Sequence, residues 1–304
     1  MRQLVVAVTG AKGYIGSELC SELLARGHHV IQIDKEINNG YVETILPGFK
    51  PSLEYADCIV HLAAESGIAN CQADPQKAIK SNMIATSMLM DFATNYGDTP
   101  VPLIFASSAA ANHPTSSLYA MGKYYGEQLA IHYNENYNGQ NYVLRFSNIY
   151  GGVEYTSKKS SVVSKLVNAI QDDKPFTISG DGSQTRDFIH INRIVNAIIK
   201  MVEMVVFKDP LIAKVKALHN PIDVCTGTQL SIKDLVDSVV HVTNKSVNIV
   251  YDKEAKNVGV NTGVSNPEMA KTLGLIPVTK GFYNPGPQWY TQDLVDYLKY
   301  ELLK

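Results

Sequence analysis

Tyr119 and Lys123 stand four residues apart in Tyr119-Ala120-Met121-Gly122-Lys123, a spacing that places both side chains on one helical face. A free phenol has a pKa of about 10, and a neighbouring ammonium favours its phenolate, so the pair can serve as a base near neutral pH. Upstream, Phe105-Ala106-Ser107-Ser108 ends an apolar run, and a hydroxyl there can hydrogen-bond an oxygen that gains or loses a proton. Among 17 tyrosines a single such pair is equally well a surface contact, so its meaning depends on order and context.

A second constellation lies at the N-terminus. Val5-Val6-Ala7-Val8-Thr9-Gly10-Ala11-Lys12-Gly13-Tyr14-Ile15-Gly16 reads as a strand, a glycine turn and a helix start. Gly10 permits the tight turn, Gly13 lets backbone amides approach a pyrophosphate, and Gly16 lets helix and strand pack closely. The helix N-terminus adds partial positive charge. The next strand, Val30-Ile31-Gln32-Ile33-Asp34, ends in a carboxylate 18 residues after Gly16, where it can hold a ribose 2′-hydroxyl and repel a 2′-phosphate. These residues point to NAD rather than NADP as cofactor.

The elements that must position these groups are legible as alternating periods. Strands are expected at Leu4–Val8, His29–Asp34, Cys58–Leu62, Leu103–Ala106 and Tyr142–Phe146. Helices are expected at Tyr14–Arg26, Pro75–Asn95 and Tyr119–Asn136. Right-handed crossovers stack such strands into one doubly wound parallel sheet. After Gly151-Gly152 the alternation loosens. Strands at Phe176–Ser179 and Val247–Tyr251 mix with helices at Val162–Gln171, Ile194–Val206 and Ser231–Val240, the pattern of a smaller mixed domain that leaves a cleft for ligands.

Composition narrows the classes. The chain has 304 residues, 45% hydrophobic and 18% charged, with Lys+Arg 27 against Asp+Glu 29, which suits folded domains and offers no basic excess for nucleic acid. No apolar stretch reaches the ~18 residues of a membrane helix, and Leu4–Val8 is too short for a signal-peptide core. Cys20, Cys58, Cys71 and Cys225 show no CxxC or metal-like spacing, as expected of a cytoplasmic protein without a metal site.

Thr9-Gly10 through Gly16, Asp57 with His61-Leu62-Ala63-Ala64, Asn82, Ser107-Ser108, Tyr119 with Lys123, Leu144-Arg145-Phe146-Ser147-Asn148-Ile149-Tyr150-Gly151 and Gly180 through His190 occur in one order. Together they resemble the extended short-chain dehydrogenase/reductases, and within them the NAD-dependent nucleotide-sugar epimerases and dehydratases. Ser265-Asn266-Pro267 with Leu273 through Pro277 is a weaker echo. The resemblance implies an α/β fold with a Rossmann-type NAD-binding domain over residues 1–152 and a smaller substrate-binding domain over 153–304, with the segment 187–207 packing back onto the first.

It further implies that Tyr119 is the base, that Lys123 holds the nicotinamide ribose and lowers the tyrosine pKa, and that Ser108 assists. Gly10, Gly13, Tyr14, Ile15, Gly16, Asp34, Leu62, Ala63, Ala64, Asn82 and Ser107, with Tyr119 and Lys123, match cofactor-binding positions; Asn82 matches one that steadies the catalytic helix and lysine. Asn148 and Arg186, with Ser108 and Tyr119, match substrate-binding positions, Arg186 near the diphosphate, where its planar fork can bridge phosphate oxygens. The plainer alternatives are a turn asparagine and a surface ion pair between Arg186 and Asp187. His61 and His190 read as core or turn histidines. A homodimer through the helices Pro75–Asn95 and Tyr119–Asn136 is expected, with Ile84, Met88, Leu129 and Tyr133 as contacts.

This chain departs from the family pattern in places. Ten residues separate Ser108 from Tyr119, and Ala109-Ala110-Ala111-Asn112 replaces a longer loop. Ala109-Ala110 cannot supply the Asp-Glu pair that protonates a leaving hydroxyl, which disfavours dehydration. Lys35–Tyr55 is short, Asn192-Arg193 replaces an Asp-rich pair, and Lys256 is the one candidate for a second diphosphate contact. The leading reading is an NAD-dependent epimerase working through a 4-keto sugar. A net NAD(P)-dependent oxidoreductase on a sugar or sugar nucleotide, and a catalytically silent NAD-binding scaffold, are the alternatives.

Overall fold

The computed structural model describes residues 2–38, 53–152, 161–213, 215, 221–254, 265–276 and 292–303. Lys256, Pro277 and most of the Lys35–Tyr55 segment lie outside the described residues. The chain divides into two compact units, Met1–Phe146 with Val195–Val224, and Ser147–Ile194 with Cys225–Lys304.

The first unit is built on β1 (Val5–Thr9), α1 (Tyr14–Ala25), β2 (His29–Ile33) and the short α2 (Lys35–Asn38). Then come β3 (Cys58–His61), α3 (Ile68–Ala73), α4 (Pro75–Ile79), a π-helical turn at Lys80–Ile84 and α5 (Ala85–Asn95). β4 (Leu103–Ser108), α6 (Leu118–Asn136) and β5 (Asn141–Phe146) complete the run. The expected doubly wound, Rossmann-type sheet is present: six strands, with β2, β1, β3, β4 and β5 followed by Ile222–Val224 at the far edge. All five pairings are parallel. β3 is buried along its whole length, and β1 and β4 along all but one residue, as apolar, β-branched strands covered on both faces must be. Chain order reverses between β1 and β3, the switch point outside which such sheets bind ligands.

The second unit holds β6 (Asn148–Tyr150), α7 (Val162–Gln171), β7 (Phe176–Ser179), β8 (Thr185–Arg186) and β9 (Phe188–His190). Helix α8 (Ile191–Val206) starts there and belongs to the first unit from Val195, as does β10 (Ile222–Val224). β11 (Leu230–Ser231), α9 (Ile232–Thr243), β12 (Ile249–Asp252), α10 (Glu268–Thr272) and α11 (Gln292–Leu302) follow. Its strands pair two by two around a core that includes Leu166, Ile178, Leu235 and Leu298. The start of α9 is fixed by a capping box between Ser231 and Asp234.

This division differs from a cut after residue 152 with 187–207 returning to the first domain. Residues 147–152 belong to the second unit, where β6 pairs with β9, and the returning segment runs from Val195 to Val224 because β10 pairs with β5. The expected helix Pro75–Asn95 is likewise three pieces, with the π turn in the middle. Among the described residues no helix is long and apolar enough to cross a membrane.

A chain of buried polar groups fixes the ends of β1 and β3 against the π turn. Thr86 Oγ1 donates to the Asn82 carbonyl at 2.9 Å, which spends its one proton, so its 3.0 Å contact with His61 must accept from Nε2–H. His61 Nδ1 is then the acceptor for Thr9 Oγ1 at 2.7 Å, and Thr9 Oγ1 in turn accepts the Ala63 N–H at 3.2 Å. Every proton in the chain points one way. Burial, and secondarily the Lys123 charge, push the His61 pKa down to about 3, so this single neutral tautomer persists across the physiological range. Thr86→Val keeps the shape but strands the Nε2–H; unfolding in denaturant should show a loss of about 1–3 kcal/mol, and unchanged stability would contradict the assigned chain.

Candidate functional site

The C-terminal ends of β1, β3 and β4 lie side by side, with Thr9 paired to His61 and His61 to Phe105. The next residues out are Gly10, Leu62 and Ala106, so the glycine turn, Leu62-Ala63-Ala64 and the Ser107-Ser108 end gather at one sheet edge. Gly10 has φ +71°, and a Cβ there would lie 2.8 Å from the Ala63 nitrogen. A Cβ on Gly16 would lie 2.0 Å from the Gly10 carbonyl oxygen. Neither position tolerates a side chain, and the backbone segments so packed form a cradle. No side chain caps α1 and no acidic residue stands in its first turn, so its N-terminus suits an anion, although the Gly13 N–H itself is donated to the Gly10 carbonyl at 2.9 Å. Asp34 accepts from the Lys12 N–H at 3.0 Å and the Glu36 N–H at 3.1 Å, which aims its carboxylate at the rim of the same cradle. A bound dinucleotide fits this arrangement, with its pyrophosphate at the helix terminus and a ribose at Asp34.

Tyr119, Lys123 and Ser108 come together as the sequence predicts. The Ser108 side chain stands beside Tyr119, where it favours the ionised phenol. Lys123 is buried, donates to the Ala106 carbonyl at 2.7 Å, and lies 5.1 Å from the Phe105 ring centroid and 6.0 Å from that of Tyr119. The expectation that lysine lowers the tyrosine pKa is corrected here. Burial raises the half-buried Tyr119, and the group that opposes this is Ser108; Lys123 is held toward the strand instead. Lys123 is itself drawn down to about 8 by burial, against the opposing charges of Cys71 and Glu127.

Asn82 packs against the helix that carries Lys123, where a Cβ on Gly122 would lie 3.0 Å from its own Cβ, and it also holds a loop. Its Oδ1 accepts from the Glu65 N–H at 2.7 Å and its Nδ2 donates to the Glu65 carbonyl at 3.0 Å, a two-point clasp on the segment that follows Leu62-Ala63-Ala64. The π turn puts it there, because the extra residue rotates Asn82 inward while the helix continues on both sides.

In the second unit, Asn148 donates from its backbone at 2.9 Å and its side chain at 3.3 Å to the Asp187 carbonyl, bringing it beside Arg186. The alternative of a surface ion pair between Arg186 and Asp187 is excluded. Asp187 is buried, and its carboxylate accepts from the Thr226, Gly227 and Thr228 amides and the Thr226 hydroxyl. Burial raises its pKa against those four bonds. Arg186 Nη1 donates to the Thr185 carbonyl at 2.6 Å, and burial lowers the guanidinium pKa. A half-buried cation so placed suits an anionic ligand.

Sequence reasoning passed over Cys71, whose Sγ donates to the Glu65 carbonyl at 3.3 Å beside Asn82. It also passed over Thr86, Glu127 and Arg145. The available signals were Thr86 four residues after Asn82, Glu127 four after Lys123, and one arginine in the apolar strand Tyr142-Val143-Leu144-Arg145-Phe146. The short segment after Ser108 forms two 3₁₀ turns, Ala109–Asn112 and Pro114–Ser116, with Ala109 and Ala111 buried.

Known proteins are similar to this chain in sequence and in fold. The UDP-glucose 4-epimerase of Mycolicibacterium smegmatis is 28% identical over 231 residues, covering 64% of this chain and 71% of that one. UDP-glucuronic acid decarboxylase 4 of Arabidopsis thaliana is 28% identical over 231 residues, 66% of this chain and 51% of that longer protein. A variant of UDP-glucuronic acid 4-epimerase from Bacillus cereus, in complex with UDP-4-deoxy-4-fluoro-glucuronic acid and NAD, superposes with a TM-score of 0.75 at 23% identity, covering 98% of both chains. The NAD dependent epimerase/dehydratase family matches residues 6–213, more than half of the chain, and with the glycine cradle and the Ser108, Tyr119 and Lys123 cluster in place, this protein is an NAD-dependent enzyme of that family.

Proposed function

We propose that the enzyme inverts C4 of a nucleotide-diphosphate sugar through a transient 4-keto sugar. The observation that carries this reading is the gathering of Tyr119, Ser108 and the buried Lys123 at the sheet edge beside the NAD cradle. NAD, when bound, takes a hydride from C4 and returns it. Tyr119 takes the proton of the C4 hydroxyl, and Ser108 holds the oxygen while it becomes a carbonyl. Tyr119 accepts this proton as its phenolate, and burial, which raises its pKa, favours the protonated form until the proton is returned to the oxygen. Lys123, mostly protonated at pH 7, is the buried positive charge nearest to hand for the phenolate and for the nicotinamide ribose. Asn82, through Glu65, keeps the Leu62-Ala63-Ala64 loop in place against the cofactor. Ala109 and Ala110 offer no acid to a leaving hydroxyl, which favours epimerisation over dehydration.

The first unit then supplies the cofactor side and the second the sugar-nucleotide side, with Asn148 and Arg186 as its contacts. Asp34 selects NAD by opposing a 2′-phosphate. The four cysteines are buried and form no disulfide with one another, which suits a reducing cytoplasm. The enzyme pairs as a homodimer through the outer faces of α5 and α6: Ile84, Met121, Tyr124 and Tyr125 are exposed apolar residues on these helices and the turn before them. Met88, Leu129 and Tyr133, expected as contacts, instead pack partly against the core.

Light scattering at micromolar concentration should return twice the monomer mass, and monomer alone would remove the dimer. Arg186→Ala should weaken UDP-sugar binding by roughly 1.5–3 kcal/mol in calorimetry while NAD affinity stays unchanged; equal UDP-sugar affinity would release Arg186 from this role. Tyr119→Phe should fold, retain NAD and lose about 10²–10⁴-fold in turnover of UDP-glucose, UDP-glucuronic acid or UDP-N-acetylglucosamine followed by NMR. Stoichiometric NADH from the wild type would favour the oxidoreductase, and binding without conversion the silent scaffold.

A further inference from the structure

Three consecutive residues at the end of β4 are each tied to a different turn of α6. Ala106 accepts from Lys123 through its carbonyl, Ser108 stands beside Tyr119, and Ser107 donates its hydroxyl to Glu127 in a short contact. Tyr119, Lys123 and Glu127 recur every four residues, so one helical stripe meets one strand end. The first two have roles in the chemistry proposed above. Glu127 has none, although it is 1% exposed and carries a charge.

A buried carboxylate persists only when its oxygens are satisfied. Those of Glu127 accept from Arg145 Nε at 3.0 Å and Nη2 at 2.6 Å, a two-pronged pair reaching across from β5. Arg145 Nη1 goes on to Asn112 Oδ1 at 2.7 Å, at the end of the shortened turn after Ser108, and lies 3.6 Å from Asp223 on β10. The carboxylate is therefore the hub that joins β4, β5, α6 and the turn that follows the serine pair. We propose that Glu127 is a positioning residue: its carboxylate fixes the Ser107-Ser108 end of β4 against α6 and supplies the counter-charge for Lys123.

The groups facing Lys123 are few. Cys71 approaches from α3, Tyr119 and Glu127 from α6, neutral His61 from β3 and the Ala106 carbonyl from β4. With Lys123 near 8, loss of the Glu127 charge moves its titration into the neutral range.

The test is an NMR titration of Lys123 in protein carrying ¹³Cε-labelled lysine, with folding checked by circular dichroism. The Lys123 midpoint should fall by about one pH unit in Glu127→Gln and stay near the wild-type value in Glu127→Asp, which keeps the charge. Calorimetry with NAD should show weaker binding by Glu127→Gln at pH 8 than at pH 6.5, relative to wild type, because Lys123 is neutral only at the higher value. A purely structural defect would weaken both equally. If Glu127→Gln does not fold with Arg145 unpaired, Arg145→Gln, which keeps the Glu127 carboxylate and removes the cation paired with it, should raise the Lys123 midpoint instead. An unchanged midpoint in either folded variant overturns the proposal. This inference rests on the proposed site, but the titration needs no sugar nucleotide, so its failure is separable from failure of the epimerase reading.

Discussion

The close approach of α6 to the end of β4 governs the arrangement of the site. At Gly126 a Cβ would lie 2.4 Å from the Phe105 ring, so the helix can sit this near the sheet only where the side chain is missing. At that distance Lys123 reaches the Ala106 carbonyl, and the Tyr119 hydroxyl meets Ser108. A helix displaced outward by one methyl group would leave a buried ammonium and a buried carboxylate each short of a partner, at a cost well above that of an ordinary surface contact. The same approach explains the acid-base balance of the cluster, because it is burial that raises Tyr119 and lowers Lys123.

The cofactor side is built by a different device. Gly10 and Gly16 let the turn, the Leu62-Ala63 loop and α1 pack backbone against backbone, while the one-way chain from Ala63 through Thr9, His61 and Thr86 to Asn82 locks the neighbouring loop without any charge. A neutral histidine suits this place. An imidazolium would need a second acceptor in a region already fully bonded, and it would lie near Lys123. The polar interior of the first unit is thus divided into a neutral half under the cradle and a charged half, Lys123, Glu127 and Arg145, under the reacting groups.

Much of this was legible in the sequence because it is written in local periods. β-branched runs gave β1 to β5, glycine spacing gave the cradle, and a four-residue interval gave Tyr119 and Lys123. What escaped depends on partners distant in sequence. β10 is three residues long and pairs with β5 far away in sequence, so the returning segment, expected at 187–207, has its bounds at Val195–Val224. The π turn at Lys80–Ile84 leaves the apolar period of Pro75–Asn95 almost undisturbed and shows itself only in the direction of Asn82. Arg186 and Asp187 are adjacent in sequence and suggested a pair, yet Asp187 is taken by Thr226, Gly227 and Thr228, about forty residues on. The direction of the Tyr119 shift could not be read from the Tyr-Lys spacing at all, since it is set by burial.

The central claim is that C4 of the sugar is inverted without net oxidation, with Tyr119 moving the proton and the hydrogen on carbon staying within the enzyme. It is tested most directly by supplying the NAD-loaded enzyme with UDP-sugars carrying deuterium at C4, drawn from UDP-glucose, UDP-glucuronic acid and UDP-N-acetylglucosamine, and reading the products by NMR and mass spectrometry. The account predicts that for the sugar converted, the C4 epimer forms with its deuterium retained and no reduced cofactor accumulates. Deuterium exchanged for solvent hydrogen, or a keto product released with one equivalent of reduced cofactor, would contradict it.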